Sequence, residues 1–128
     1  MDNTASVGNN ASWKENEFSP ALPAEKMLWY RRHYLPDMKT WGEPEASPLF
    51  YEGGWEELPR ALVVVGGLDV LRDEGLAYAE RLKSAGVRVE VVRFEGMPHP
   101  FLAMDEALSQ GRETISAMVE ALKDVFGM

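Results

Sequence analysis

Asp69 and His99 are the two residues of this chain whose types and spacing point to chemistry. Each follows a short apolar run of the kind that forms a buried strand, Ala61–Gly66 before Asp69 and Val87–Phe94 before His99. Since parallel strands present their carboxyl ends at one edge of a sheet, we expect the two side chains to lie close together there. A carboxylate beside an imidazole is the acid–base pair of nucleophilic hydrolysis.

The chemistry explains why this pair is useful. An imidazole has an ordinary pKa of about 6.5, so near neutral pH it can take a proton and return it to a leaving group. A carboxylate on the other ring nitrogen fixes the tautomer and stabilises the imidazolium, and its loss from such a triad lowers turnover about 10⁴-fold. Taken separately, Asp69 could be a turn residue before a helix and His99 a surface histidine in a proline-stiffened loop. Their positions after successive strands favour the catalytic interpretation.

The remaining candidates have simpler explanations. No Gly-x-Ser-x-Gly motif occurs, and none of the seven serines stands in a strand–turn–helix elbow, so no nucleophile is nominated. Asp73 and Glu74 open a predicted helix, where anions are favoured, and we interpret them as structural. His33 lies beside Arg31 and Arg32 on another predicted helix, and we interpret this as a solvated face.

The elements around these residues predict an α/β fold. They are helices over 24–35, 73–85 and 105–126, and strands over 61–65 and 87–94. Residues 1–18 predict a loop, and residues 36–60, with four prolines, a long connection. The β–α–β order predicts a right-handed parallel crossover. We therefore divide the chain into a loop-rich segment with one helix, 1–60, and a βαβ–α unit, 61–128.

Three expectations concern packing. The apolar cluster Met27–Tyr30 is expected to belong to the core rather than to a substrate pocket. The strand Ala61–Val65 is too apolar to face water, so we expect it to pair on its far side with a strand that this sequence does not contain. Strand 87–94 is the natural edge for self-association.

Composition narrows the class of protein. A net charge of −8 argues against nucleic-acid partners. The absence of cysteine excludes disulfides and thiolate metal sites, and two distant histidines disfavour a zinc site. No apolar run approaches the ~18 residues of a membrane span, and the first residues lack the features of a signal peptide. We expect a cytoplasmic protein without cofactor, metal or membrane partner.

Four segments resemble the C-terminal part of the hormone-sensitive-lipase-type α/β-hydrolases, a family of carboxylesterases and lipases. These segments are Trp29–Leu35, Ala46–Leu49, Gly67–Gly75 and Phe94–Phe101. The resemblance implies that Asp69 is the triad acid, that His99 is the triad base, and that the strands are the last two of an eight-stranded sheet. Family members commonly have glycine after the histidine, where this chain has Pro100. The family's serine elbow and oxyanion loop would lie upstream of residue 1.

Three functions remain open at this stage. The first is the acid–base part of a serine carboxylic-ester hydrolase, inactive alone, whose serine and oxyanion donors come from an upstream portion and whose substrate is a small-molecule ester. The second is a non-catalytic hydrolase-like module that oligomerises through its strand edges. The third, a ligand receptor on a hydrolase scaffold, is disfavoured because nothing in a receptor would require His99.

Overall fold

The computed structural model describes residues 2–127, which form two parallel strands and four α-helices joined by loops and short 3₁₀ turns. The helices are α1 (Ala11–Glu15), α2 (Ala24–Tyr34), α3 (Arg72–Ser84) and α4 (Ser109–Phe126), and the strands are β1 (Ala61–Leu68) and β2 (Val89–Pro98). The order β1–α3–β2 with parallel pairing confirms the predicted α/β fold with flanking helices. The division of the chain at residue 60 stays a prediction.

Both strands run further than their apolar patterns predict. Their pairing is regular from Ala61 opposite Val89 to Gly66 opposite Phe94, and it then shifts so that Leu68 lies opposite Pro98. Over this step β1 advances by two residues and β2 by four, and we call this irregularity the bulge because, like a β-bulge, it changes the direction of side chains beside a site. β2 continues past its predicted end and stops directly before His99.

Helix α3 supplies the crossover and matches its predicted limits within one residue. Its Leu82 is 1% exposed and packs in a small core with Trp55 and Val87. The helix ends at Ser84, and Gly86 two residues later has a φ of +84°, in the left-handed region that favours glycine. The chain can therefore turn back at once into β2.

Helix α1 corrects the prediction that residues 1–18 form a loop with no helix. The Asn10 side chain caps α1 by accepting the backbone N–H of Trp13 at 3.4 Å. The Trp13 side chain is fully buried, in a cluster with Ala5, Leu22 and Val70. A helix of five residues is too short to show a periodic apolar pattern, which is why the sequence did not reveal it.

Helix α2 lies where predicted but buries a different face. Trp29 and Tyr30, expected in the core, are 54% and 47% exposed, whereas Arg31, expected in solvent, is 2% exposed. The Arg31 guanidinium lies 4.8 Å from the ring centroid of Trp13 and 5.2 Å from that of Trp41. Two aromatic faces attract the cation, and burial lowers the pKa of Arg31 from its ordinary value.

Helix α4 begins four residues later than predicted, because the backbone of Leu108 is extended (φ −116°, ψ 128°) and the helix starts only after it. A 3₁₀ turn, Phe101–Met104, precedes it. Its apolar stripe remains about 40–55% exposed, at Ile115, Met118, Val119, Leu122 and Val125. An open groove of about 460 Å³ separates the last turns of α4 from β1. Among the helices of residues 2–127, none has the length and apolar character that crossing a bilayer requires.

Candidate active site

The structure brings Asp69 and His99 into direct contact. Asp69 is the first residue after β1, and His99 is the first residue after β2. The Nδ1 atom of His99 lies 2.9 Å from Oδ2 of Asp69. Since a carboxylate can only accept, Nδ1 carries the donated proton, and Nε2 of the neutral ring is left as a proton acceptor.

Burial differs between the two partners in a way that suits an acid–base pair. The Asp69 side chain is 10% exposed, whereas the His99 side chain is 44% exposed. The hydrogen bond from His99 to Asp69 raises the pKa of the imidazole above its ordinary value, and partial burial of the ring opposes that rise. The ring is therefore open to a reacting group and more basic than a free histidine.

The two oxygens of Asp69 have separate partners. While Oδ2 accepts from His99, Oδ1 accepts the backbone N–H of Leu71 at 2.8 Å. The second contact is the local turn that aspartate commonly makes. Asp69 is therefore both a turn residue and the partner of the imidazole. The hydrogen bond within the turn fixes the rotation of the carboxylate, so that Oδ2 faces His99.

Close backbone approach at the bulge positions the two loops. A Cβ atom on Gly67 would overlap the carbonyl oxygen of Glu95 and lie 2.7 Å from its Cα atom, so glycine is required there. After His99, the chain passes through a cis bond to Pro100, and the buried ring of Phe101 packs 5.3 Å from that of Phe94. The family commonly has glycine at position 100, and with Pro100 in its place the imidazole of His99 is still hydrogen-bonded to Asp69.

Asp73 and Glu74 bond to the N-terminal segment instead of to His99. Burial acts to raise the pKa of Asp73, but hydrogen bonds from Arg72 and Ser12 outweigh it and lower the value. Glu74 is 4% exposed, and burial raises its pKa against hydrogen bonds from the Asp2 backbone and the Trp13 indole. The sequence suggested favourable helix-start positions for both acids, and it gave no sign of these long-range partners.

Sequence reasoning missed Asn16, which contacts the backbone around Asp69. Its Nδ2 atom lies 3.3 Å from the carbonyl oxygen of Gly67 and 3.2 Å from that of Asp69. The contact joins residues more than 50 positions apart, and no local motif marks it. The only weak signal is an amide side chain in a segment otherwise interpreted as loop.

Neither a serine nor a metal cluster accompanies the pair in the part of the chain that the structure describes. No serine among residues 2–127 is hydrogen-bonded to His99. The hydroxyls of three buried serines donate to backbone carbonyls instead: Ser12 to Val70, Ser19 to Leu68 and Ser47 to Trp41. Over the same residues, no group of three or more metal-ligating side chains is assembled.

A carboxylate–imidazole pair at the carboxyl edge of a parallel sheet is typical of hydrolases with an α/β fold. Residues 3–103 match the family model of the alpha/beta hydrolase fold. The chain belongs to the α/β-hydrolase family, and the resemblance to its hormone-sensitive-lipase-type members is confirmed.

The most similar proteins include two curated relatives and one solved structure. An AB hydrolase superfamily protein of Schizosaccharomyces pombe is 49% identical over 112 residues, which cover 87% of this chain and 33% of the relative. An ethyl acetate hydrolase of Pseudomonas putida is 31% identical over 102 residues, covering 80% and 32%.

The hyperthermophilic esterase of Pyrobaculum calidifontis superposes with a TM-score of 0.85 at 36% identity, covering 92% of this chain and 39% of its own. The chain spans about a third of the length of these curated relatives.

Proposed function

We propose that this chain contributes the acid and the base of a serine carboxylic-ester hydrolase, with Asp69 as acid and His99 as base. The observation that carries the proposal is the 2.9 Å contact between Nδ1 and Oδ2 at the ends of adjacent parallel strands. The similarity to an ethyl acetate hydrolase and to an esterase supports a small-molecule ester as the substrate.

In this mechanism, Nε2 of His99 takes the proton of a serine hydroxyl as its oxygen attacks the ester carbonyl. The imidazolium then gives that proton to the departing alkoxide, which leaves an acyl-serine. Water repeats the sequence, with Nε2 as base, and releases the acid. Asp69 stays ionised throughout and stabilises the imidazolium. The serine and the oxyanion donors come from a portion upstream of these residues.

The proposal is tested by reconstitution. The chain is co-expressed with the upstream portion of the Schizosaccharomyces pombe relative, and hydrolysis of p-nitrophenyl acetate is measured for each part alone and for both together. We expect serine-dependent turnover only in the combination. One missing oxyanion donor alone costs about 10²–10³ in rate, so the isolated chain has no route to efficient turnover.

Variants in this chain assign the roles. His99→Ala and Asp69→Asn should each lower kcat of the reconstituted enzyme by about 10³–10⁴. His33→Ala is the matched control, because His33 is an exposed histidine bonded to its own helix backbone at Trp29. Turnover that survives His99→Ala would refute the proposal.

The second candidate is a non-catalytic module that associates through its strand edges. It is favoured by a specific observation, since β1 and β2 form a two-stranded sheet in residues 2–127 and the apolar stripe of α4 stays half exposed. The same reconstitution separates the two candidates, because this module would join the upstream portion, or a second copy, without conferring His99-dependent turnover. The cytoplasmic location stays a prediction.

A further inference from the structure

The backbone on either side of Asp69 has an unusual density of side-chain hydrogen bonds. The four consecutive carbonyls of residues 67–70, which we call the acid loop, each accept at least one. Their donors are Asn16 Nδ2 to Gly67 (3.3 Å) and Asp69 (3.2 Å), Arg72 Nη1 to Gly67 (3.2 Å), Ser19 Oγ to Leu68, and Ser12 Oγ to Val70 (2.6 Å).

Three of these donors come from one short stretch of the N-terminal segment. Ser12, Asn16 and Ser19, which we call the clamp residues, are 0%, 6% and 8% exposed. Their side chains are therefore buried, and a buried polar group is stable only when its hydrogen bonds are made within the protein. The acid loop supplies those partners.

Asn16 has the most direct contact with the catalytic acid. A single amide nitrogen bonds to the carbonyls of residues 67 and 69, so it joins the end of β1 to the first residue after the strand. One of these carbonyls belongs to Asp69 itself. A shift of this backbone would move the carboxylate, whose Oδ2 must stay within hydrogen-bond distance of His99.

We propose that Asn16 is a positioning residue, assisted by Ser12 and Ser19, which holds the acid loop so that Asp69 meets His99. This role rests on the proposed hydrolase function for its catalytic consequence. Asn16 touches neither the reacting atoms nor the imidazole, and it acts only through the backbone of Asp69.

If Asn16 only stabilised the fold, replacing it would affect His99 no more than replacing another buried asparagine. Asn3 is the matched control for this comparison. Asn3 is also a buried asparagine of the N-terminal segment, 2% exposed, but its Nδ2 bonds to the carbonyl of Ala46, away from the acid loop. Both Asn16→Ala and Asn3→Ala remove a buried amide and are expected to lower the melting temperature. Only the first should disturb the Asp69–His99 contact.

The experiment is an NMR titration of the His99 ring in the unmodified chain and in both variants. We expect Asn16→Ala to move the titration midpoint of His99 downward, toward that of an ordinary histidine, because the contact with Asp69 is what raises its pKa. Asn3→Ala should leave it in place. An unchanged midpoint in Asn16→Ala, or an equal shift in Asn3→Ala, would overturn the proposal.

A milder variant keeps the test decisive if Asn16→Ala fails to fold. Ser19→Ala removes one hydroxyl that bonds to the Leu68 carbonyl. It should shift the His99 midpoint downward by a smaller amount, and an unshifted midpoint there would likewise count against the clamp. The titration requires no turnover, so its result is independent of whether reconstitution yields an esterase.

Discussion

The carboxyl end of the sheet and the flank under α4 are built in opposite ways. At the carboxyl end, the carbonyls of the acid loop all have donors, and Trp13 and Val70 are fully buried. Along the flank, Met118 and Leu122 are 42% and 54% exposed beside an open groove. The geometry around Asp69 is therefore set within the chain, whereas the flank has the apolar exposure typical of an interface.

The largest expected effect is on the free energy of unfolding, compared between one side chain at the carboxyl end of the sheet and one on the flank. Trp13→Ala should lower the free energy of unfolding by about 3–5 kcal/mol, since it removes a fully buried indole and leaves a cavity. Leu122→Ala on the flank should change it by only about 0.5 kcal/mol. Urea denaturation measures both. A cost for Leu122→Ala as large as that for Trp13→Ala would show that the flank is as well packed as the carboxyl end.

The next effect concerns the bulge between the strands. Gly67→Ala should lower the free energy of unfolding by about 1–3 kcal/mol, because its methyl group would collide with the backbone of Glu95. Gly96→Ala is the matched control, as no atom lies within 4 Å of a Cβ at that position. Thermal unfolding of the two variants gives the comparison, and equal melting temperatures would mean that the close approach imposes no constraint.

The smallest expected effect is a pH dependence at the candidate site. The folded state raises the pKa of His99, so the resulting stabilisation is fully present below the ordinary value of about 6.5 and is lost as the pH rises through the raised value. With the ring 44% exposed, we expect less than about 1 kcal/mol.

The measurement compares the chain with His99→Ala by urea denaturation between pH 5.5 and 9. The advantage of the unmodified chain should shrink toward the alkaline end. An advantage that grows with pH would contradict the hydrogen-bonded arrangement.

The proximity of Asp69 and His99 was predictable, because it follows from sequence patterns within each strand. The contacts that hold these two residues in place were not predictable. Apolar runs mark strands, and parallel strands end at one edge, so Asp69 and His99 could be placed together before any coordinates were known. The burial of Arg31 depends on two tryptophans brought from outside its helix. Asn16 likewise reaches the acid loop across more than 50 positions. Such contacts between distant segments leave no periodicity or motif to recognise.

The bond between Trp13 and Glu74 has a consequence for how the protein is made. Its partners are separated by 61 residues, so on the ribosome the indole emerges long before the carboxylate that accepts from it. At ordinary rates of synthesis that interval lasts roughly 3 to 12 s. During this time the indole lacks both Val70, which completes its apolar cluster, and the carboxylate that accepts its N–H.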